Sequence, residues 1–590
     1  MRHAEYGSST FPLVSRLSPE VERRRRLVTR TLPLAAVAVV AFVVGAAMGA
    51  PGSPEKEAAE RFTTAWAANN FGAMYAELND ESKAAVSRDE FAAAYREAEM
   101  VATLKSLVPG SPHDATSGEG PATVPIPITV STTAFGRFED ELVLPFEHGG
   151  IEWDPSLVFP GLRSGEHLEN EIELAPRAAI LANDGTPLAK GSADEREHPL
   201  GTAAIDVTGE LGPASEEQMA KMARHGFGPD TPVGISGLEQ AFNTRLAGKP
   251  GGKLFAVDSS GSSSRTLAES EPEEGAAVKT TIDPELQEVS VAALAGRAGG
   301  IAVLDARNGD VRALAGQAFS APQPPGSTFK MVTTTAALQK GIVSLDDEFE
   351  YTSGVNVGGR FIENANGEVC GGTFRHAFAE SCNADFAPLG PQIGNDDLVA
   401  TAERFGFNSP PTLYSAKIAR EVEPAESTIP EEIGEEVDLG VSAIGQGEVL
   451  ATPLQMASVA QTIANGGVRM PTSVVNNKKL RPNAKPVQVM KKQIADELTE
   501  LMVGVVTEGT GTAGAISEAQ VAGKTGTAEL GPKPGSEDEE HPEQIKDAWF
   551  AAFAPAKKAK LAIGVLLIEA EAAGGEVAAP AAAEVLSAGL

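Results

Sequence analysis

The chain has 590 residues, 42% of them hydrophobic, and 81 acidic side chains against 48 basic ones give it a net charge of −33. That length exceeds one compact core and implies two to four domains, and the acidic excess argues against nucleic acid as a partner of the bulk of the chain. Two cysteines and eight histidines without an HExxH pair give no expectation of a metal or other cofactor.

In chain order, residues 1–31 hold seven arginines and three glutamates, net +4. The next nineteen residues, 32–50, carry no charge and can just cross a hydrocarbon core as a helix. The basic flank would stay cytoplasmic and the remainder would be exported. An uncleaved anchor is expected, with a cleaved signal peptide as the competing reading because small residues crowd 45–50. Residues 55–105 have a helical pattern, with Phe62, Trp66, Phe71, Met74, Tyr75 and Leu78 at three- and four-residue steps. TVPIPITVSTT and ELVLPF within 121–160 alternate like strands. The polar stretch 258–275 reads as an exposed connection. From 280 a helix is expected to lead into two strands, GGIAVLDARNGDVRALAG (299–316), joined by a turn at Arg307-Asn308-Gly309.

Three strings carry chemistry. PPGSTFK places Ser327 at a helix start and Lys330 one turn later on the same face. A serine hydroxyl attacks only when a base takes its proton, and a lysine of lowered pKa can be that base. SCN supplies Ser381 to relay a proton and Asn383 to hold the lysine or a substrate backbone. AGKTGTAEL supplies Lys524 and Thr525 for a substrate carboxylate, Gly526 for close approach to the strand, and the Thr527 N–H to pair with that of Ser327 as an oxyanion hole. One string alone is weak: Ser53-Pro54-Glu55-Lys56 also fits the first pattern and reads as linker. The order of three, spaced by 54 and 143 residues, is specific. Gly509, Gly511 and Gly514 spell GxGxxG, but a helical run before them and a strand after them make it a loop. The acidic run 536–544 reads as a solvated connection between strands.

On this motif set the chain resembles the penicillin-binding proteins. The likeness extends over 280–590 through IGQGEVLATPLQMA (444–457), DAWFAAFAP (547–555) and GGEVAAPAAAEVL (574–586). APRAAILANDGTPLA (175–189) and GISGLEQAFNTRLAGKPGG (234–252) are similar to the pedestal, or dimerisation, region of class B members. Arg177 and Glu239 match structural charges there, while Ala178 and Asn183 depart from the usual glycine and aspartate. EAAERFTTAWAANNFGAMYAELND resembles the NTF2-like N-terminal domain of a subgroup that includes MecA-like proteins.

The resemblance implies a multidomain α+β chain. Its parts would be a cytoplasmic segment (1–31), a single transmembrane helix (32–50), an NTF2-like α+β domain (54–160), a pedestal/dimerisation domain (161–279) and a transpeptidase domain with an antiparallel sheet flanked by helices (280–590). It implies a D,D-transpeptidase that forms an acyl-enzyme on Ser327, cross-links stem peptides ending in D-Ala-D-Ala, takes β-lactams covalently, and works with a membrane glycan polymerase of the shape, elongation, division and sporulation family. A D,D-carboxypeptidase or β-lactamase-like hydrolase is the nearest rival; a β-lactam sensor or noncatalytic division scaffold is the rival of another class. Cys370 and Cys382 flank the approach to the second motif, and sequence leaves open a disulfide or two buried thiols.

Overall fold

The computed structural model describes residues 53–116, 120–261, 264–419, 424–532 and 544–590. The expected anchor at 32–50 and all but the end of the acidic run at 536–544 lie outside these residues. Among the described residues no helix is long and apolar enough to cross a membrane.

The chain divides into two compact units. The first opens with four helices, Pro54–Ala67, Phe71–Ala76, Asp80–Ala85 and Arg88–Val101, where the sequence suggested one helical region. Asparagines cause two of the breaks. Asn70 accepts from Ala73 N and Asn79 from Ser82 N, so each starts a new helix as its N-cap. Ser87 and Glu90 form a reciprocal capping box at the fourth. The helices enclose Phe62, Trp66, Phe91 and Tyr95, with Trp66 edge-on to Tyr95 at 5.0 Å. A four-stranded sheet follows in sequential order, Leu104–Pro109, Ala122–Thr132, Arg137–Glu147 and Gly150–Ile151. Val124, Ile126, Ile128 and Val130 all point into the core at period two. Pro125 and Pro127 lie between them; their carbonyls still accept from His113 N and Gly110 N, so the strand keeps a partner where it has no N–H to give.

The second unit is built on a five-stranded antiparallel sheet. Its order is Val311–Gly316, Gly299–Asp305, Leu561–Leu567, Gln544–Ala554, Ala522–Pro532. Chain-distant segments meet at its centre: Gly299 pairs with Leu567 and Asp305 with Leu561. The strands are buried on both faces. Trp549, Ala551 and Phe553 face one core, while Ala548, Phe550 and Ala552 face the other. The second face is covered by Pro284–Leu294 and by Gly574–Ala588. Pro453–Ala464 closes the first face at Gly564, where a Cβ would sit 2.2 Å from Pro453 O. Beyond that helix lies a lobe containing Lys330–Lys340, Phe374–Glu380, Asn395–Phe405 and Lys492–Thr507, packed around Phe329, Phe374, Phe378, Phe386 and Phe407.

The pedestal-like stretch of this unit is tied by charge. Arg177 and Arg196 both contact Glu239, at 2.6 and 2.7 Å, and the three side chains are almost fully buried. Burial of the carboxylate is tolerable only because both its oxygens meet guanidiniums. Asn183 lies at a turn, its N–H donating to Ile282 O and its side chain reaching Asp283 at 3.5 Å.

Candidate active site

Ser327 sits on a 3₁₀ turn, Gly326–Phe329, that runs directly into Lys330–Lys340. The sequence predicted an α-helix start; the tighter turn lets Lys330 N donate to Ser327 O and leaves Ser327 only partly buried. Gly326 has φ +51°, and a Cβ on it would sit 2.7 Å from Thr527 O. A Cβ on Gly526 would sit 2.8 Å from Pro325 O. The nucleophile turn and the third-motif strand therefore touch backbone to backbone. Gly526 serves this contact; the room beside it is taken by protein.

Lys330 is fully buried. Its Nζ donates to Ser381 O at 2.7 Å and Asn383 Oδ1 at 2.8 Å, and lies 3.3 Å from Ser381 Oγ. Burial, and then the charge of Lys524, hold it well below the usual lysine pKa, with Asp385 opposing them. A neutral amine has two protons, enough for the two carbonyl-type oxygens, and one lone pair left for a hydroxyl. Lys524, also fully buried, donates to Ser381 Oγ at 2.9 Å and Thr525 O at 3.2 Å. Burial pushes it down to about 7, against the pull of Glu380. The Ser381 hydroxyl thus lies between two lysine nitrogens. Ser381 ends the Phe374–Glu380 helix in a left-handed conformation, φ 65° and ψ 39°. Asn383 is held from behind by its Nδ2 donating to Glu363 O at 2.9 Å.

Cys370 and Cys382 form a disulfide with Cα atoms 5.9 Å apart, closing the segment that carries this helix. The Ser-x-x-Lys look-alike at 53–56 has a different use. Ser53 caps Pro54–Ala67, and Lys56 pairs with Asp114 in solvent, so it is a helix start where the sequence suggested linker. GTGTAG forms the loop and short 3₁₀ turn between Lys492–Thr507 and the third-motif strand.

Sequence reasoning passed over several groups around the motifs. Thr510 Oγ1 lies 2.6 Å from Thr525 Oγ1 and orients that hydroxyl. Phe386 and Phe378 lie under Lys330 and Lys524, with ring centroids 5.1 and 5.6 Å from the nitrogens. Gln446 Nε2 reaches Thr527 O at 3.5 Å. The three-residue step from Asn383 to Phe386 was the available signal for one of these; the others come from distant segments.

Family models match three consecutive stretches: the NTF2-like N-terminal transpeptidase domain (54–166), the penicillin-binding protein dimerisation domain (188–280) and the penicillin-binding protein transpeptidase domain (299–587). The peptidoglycan D,D-transpeptidase PbpA of Mycolicibacterium smegmatis is 37% identical over 301 residues, covering 47% of this chain and 57% of the relative. Penicillin-binding protein 3 of Bacillus subtilis is 22% identical over 623 residues, covering 85% and 91%. The penicillin G acyl-enzyme complex of penicillin-binding protein A from M. tuberculosis superposes with a TM-score of 0.54 at 28% identity, covering 70% of this chain and 99% of that one. The chain belongs to the class B penicillin-binding proteins, with an NTF2-like N-terminal domain. It spans little more than half the length of the PbpA relatives it matches.

Proposed function

We propose that the protein is a serine D,D-transpeptidase of peptidoglycan synthesis. The observation that carries this reading is a fully buried Lys330, of lowered pKa and bonded to Ser381 and Asn383, one turn from Ser327. In the proposed reaction Lys330 takes the proton of Ser327 while Oγ attacks the carbonyl between the two terminal D-alanines. The N–H groups of Ser327 and Thr527 receive the oxyanion. Lys524 and Thr525 hold the terminal carboxylate. The proton passes through Ser381 to the leaving amine and D-alanine departs. The amine of a second stem peptide then attacks the ester, gives up its proton, and frees Ser327. No nucleotide is needed, because the energy of the peptide bond is kept in the ester. A β-lactam entering the same site would acylate Ser327.

Residues 32–50 would anchor the chain, with the residues after them outside the cytoplasm and a membrane glycan polymerase as partner. Water as the acceptor would make the enzyme a carboxypeptidase or β-lactamase; two further domains before the catalytic one favour an acceptor that must be positioned. Labelled penicillin should attach to Ser327 by peptide mapping, and Ser327→Ala should take no label. Synthetic cross-linkable stem peptides should give dimers by mass spectrometry. Label on another serine sinks the assignment, and hydrolysis products alone would favour the hydrolase.

A further inference from the structure

A hairpin, Gly354–Val357 paired with Arg360–Glu363, backs the second motif. Two bonds fix it to the turn after Ser381: Asn383 Nδ2 donates to Glu363 O at 2.9 Å, and Ala384 N donates to Asn364 Oδ1 at 2.8 Å. The other amide atom of Asn383 accepts from Lys330 Nζ, so one amide group separates Glu363 O from the amine of the base. Side chains alternate along the second strand: Ile362 joins the core, while Phe361 and Glu363 share the outward, exposed face. Across the hairpin, Gly354 stands opposite Glu363 and Asn356 opposite Phe361. A Cβ on Gly354 would sit 2.7 Å from Phe361 Cζ. The ring therefore leans diagonally into the space that a side chain opposite Glu363 would fill, where opposed Cβ positions stand about 5 Å apart. Phe361 is nevertheless 54% exposed. Among the described residues the exposed aromatic rings, Phe361 and Tyr351, both lie between the first and second motifs. Exposed apolar side chains gathered beside a site mark a surface that meets something. Among the described residues no Lys or Arg is ion-paired with Glu363; the hairpin's own cation, Arg360, stands opposite Val357 on the other face of the strand.

We propose that Phe361 and Glu363 form the acceptor subsite: the carboxylate and the adjacent ring together take the ammonium-bearing side chain of the second stem peptide. The carboxylate supplies the opposite charge, and the ring supplies a face for the cation and for the aliphatic chain behind it. The donor has other partners. Its anionic end suits Lys524 and Thr525, which would repel an ammonium. Glu363 offers the opposite sign on a strand bonded to the same second motif. Glu363 collects the ammonium form, which sheds one proton to solvent before attack. The amine nitrogen then forms the C–N bond as the C–O bond to Ser327 breaks, and its second proton returns to Ser327 Oγ through Lys330. The hairpin thus serves the second half of the reaction, while Asn383 on its other side holds the base for the first.

This inference rests on the transpeptidase reading, and the test separates the two. The full-length protein in detergent receives a donor peptide that ends in D-Ala-D-Ala and has its own amines acetylated. The acceptor is either a stem peptide with a free side-chain ammonium or hydroxylamine, which is neutral at pH 7.5. Acylation by fluorescent penicillin is measured beside it, and each transfer rate is divided by that rate. Glu363→Gln should raise the KM for the ammonium acceptor by about fivefold, with the saturated transfer rate and transfer to hydroxylamine holding on this scale. Phe361→Ala should raise the same KM by about threefold, and Phe361→Tyr should restore it. A merely structural role would slow acylation and both transfers together. An ammonium-acceptor KM that stays in place in Glu363→Gln, or a KM for hydroxylamine that rises equally, overturns the proposal. If Glu363→Gln fails to fold, the Phe361 pair decides. A wild type that takes penicillin but only hydrolyses the donor is a hydrolase and has no acceptor subsite. A wild type that takes no label overturns the acyl-enzyme reading first, and this inference with it.

Discussion

Two fully buried lysines cannot both carry full charge without cost, and the site divides the task between them. Burial and the neighbouring Lys524 charge hold Lys330 well below the usual lysine pKa, which suits it to the role of base, while Lys524, pushed down to about 7, still has cationic character at neutral pH. The sign follows directly. Lys524 is a cation below about 7 and loses its proton as pH rises through that value. A carboxylate bound beside it would pull its pKa back up. First-encounter affinity for a carboxylate-bearing penicillin should weaken above pH 7, by up to about tenfold per unit in the free enzyme. The subsequent acylation step should hold its rate there. Lys524→Ala should lose most of the affinity and the alkaline dependence with it. Stopped-flow concentration series at pH 6 to 9 separate the two steps; a pH-independent encounter constant in the wild type would remove Lys524 from carboxylate binding.

At the scale of the element, the second motif depends on a backbone conformation that serine does not favour. The left-handed geometry of Ser381 costs about 1–2 kcal/mol relative to a helical one. The chain holds it between a helix end, the Cys370–Cys382 disulfide and the bond from Asn383 to Glu363 O. Closing so short a loop stabilises by about 3 kcal/mol on chain entropy, less native strain. The Cys370→Ala, Cys382→Ala double variant should therefore unfold at lower denaturant. Its acylation should also slow at temperatures where it remains folded, because Ser381 is less firmly held. Equal acylation rates with and without reductant in folded protein would limit the disulfide to stability. Such devices explain what sequence could and could not reveal. The three strings were readable because each spans three or four residues and their order is specific. The strands at 299–316 and their turn were readable from alternation. Apolar periodicity does not register the caps made by Asn70 and Asn79, so four helices read as one region. The sheet order was hidden because its central pairing joins residues more than 250 apart in sequence.

Across the whole molecule, charge and oxidation state argue for the same sidedness. The positive charge before residue 32 is concentrated in seven arginines, while the chain as a whole is strongly acidic. Arginine-rich flanks stay in the cytoplasm, and acidic surface offers no obstacle to export. The disulfide beside the second motif is an independent sign, since such bonds persist outside the reducing cytoplasm. Acyl transfer without a nucleotide also suits a compartment that has none. On the reading proposed above, residues after 50 would lie outside the membrane and 32–50 would be the span. Protease added to intact spheroplasts should then digest the fluorescent-penicillin-labelled catalytic domain, while a cytoplasmic marker survives. Membrane pellets should retain the full-length chain after washing with salt and with alkaline carbonate. Removal of residues 1–50 should release a protein that still takes the label on Ser327, since every group of the catalytic set lies after residue 326. A labelled domain protected from protease until the membrane is permeabilised would reverse the orientation, and a full-length chain washed off by carbonate would remove the anchor.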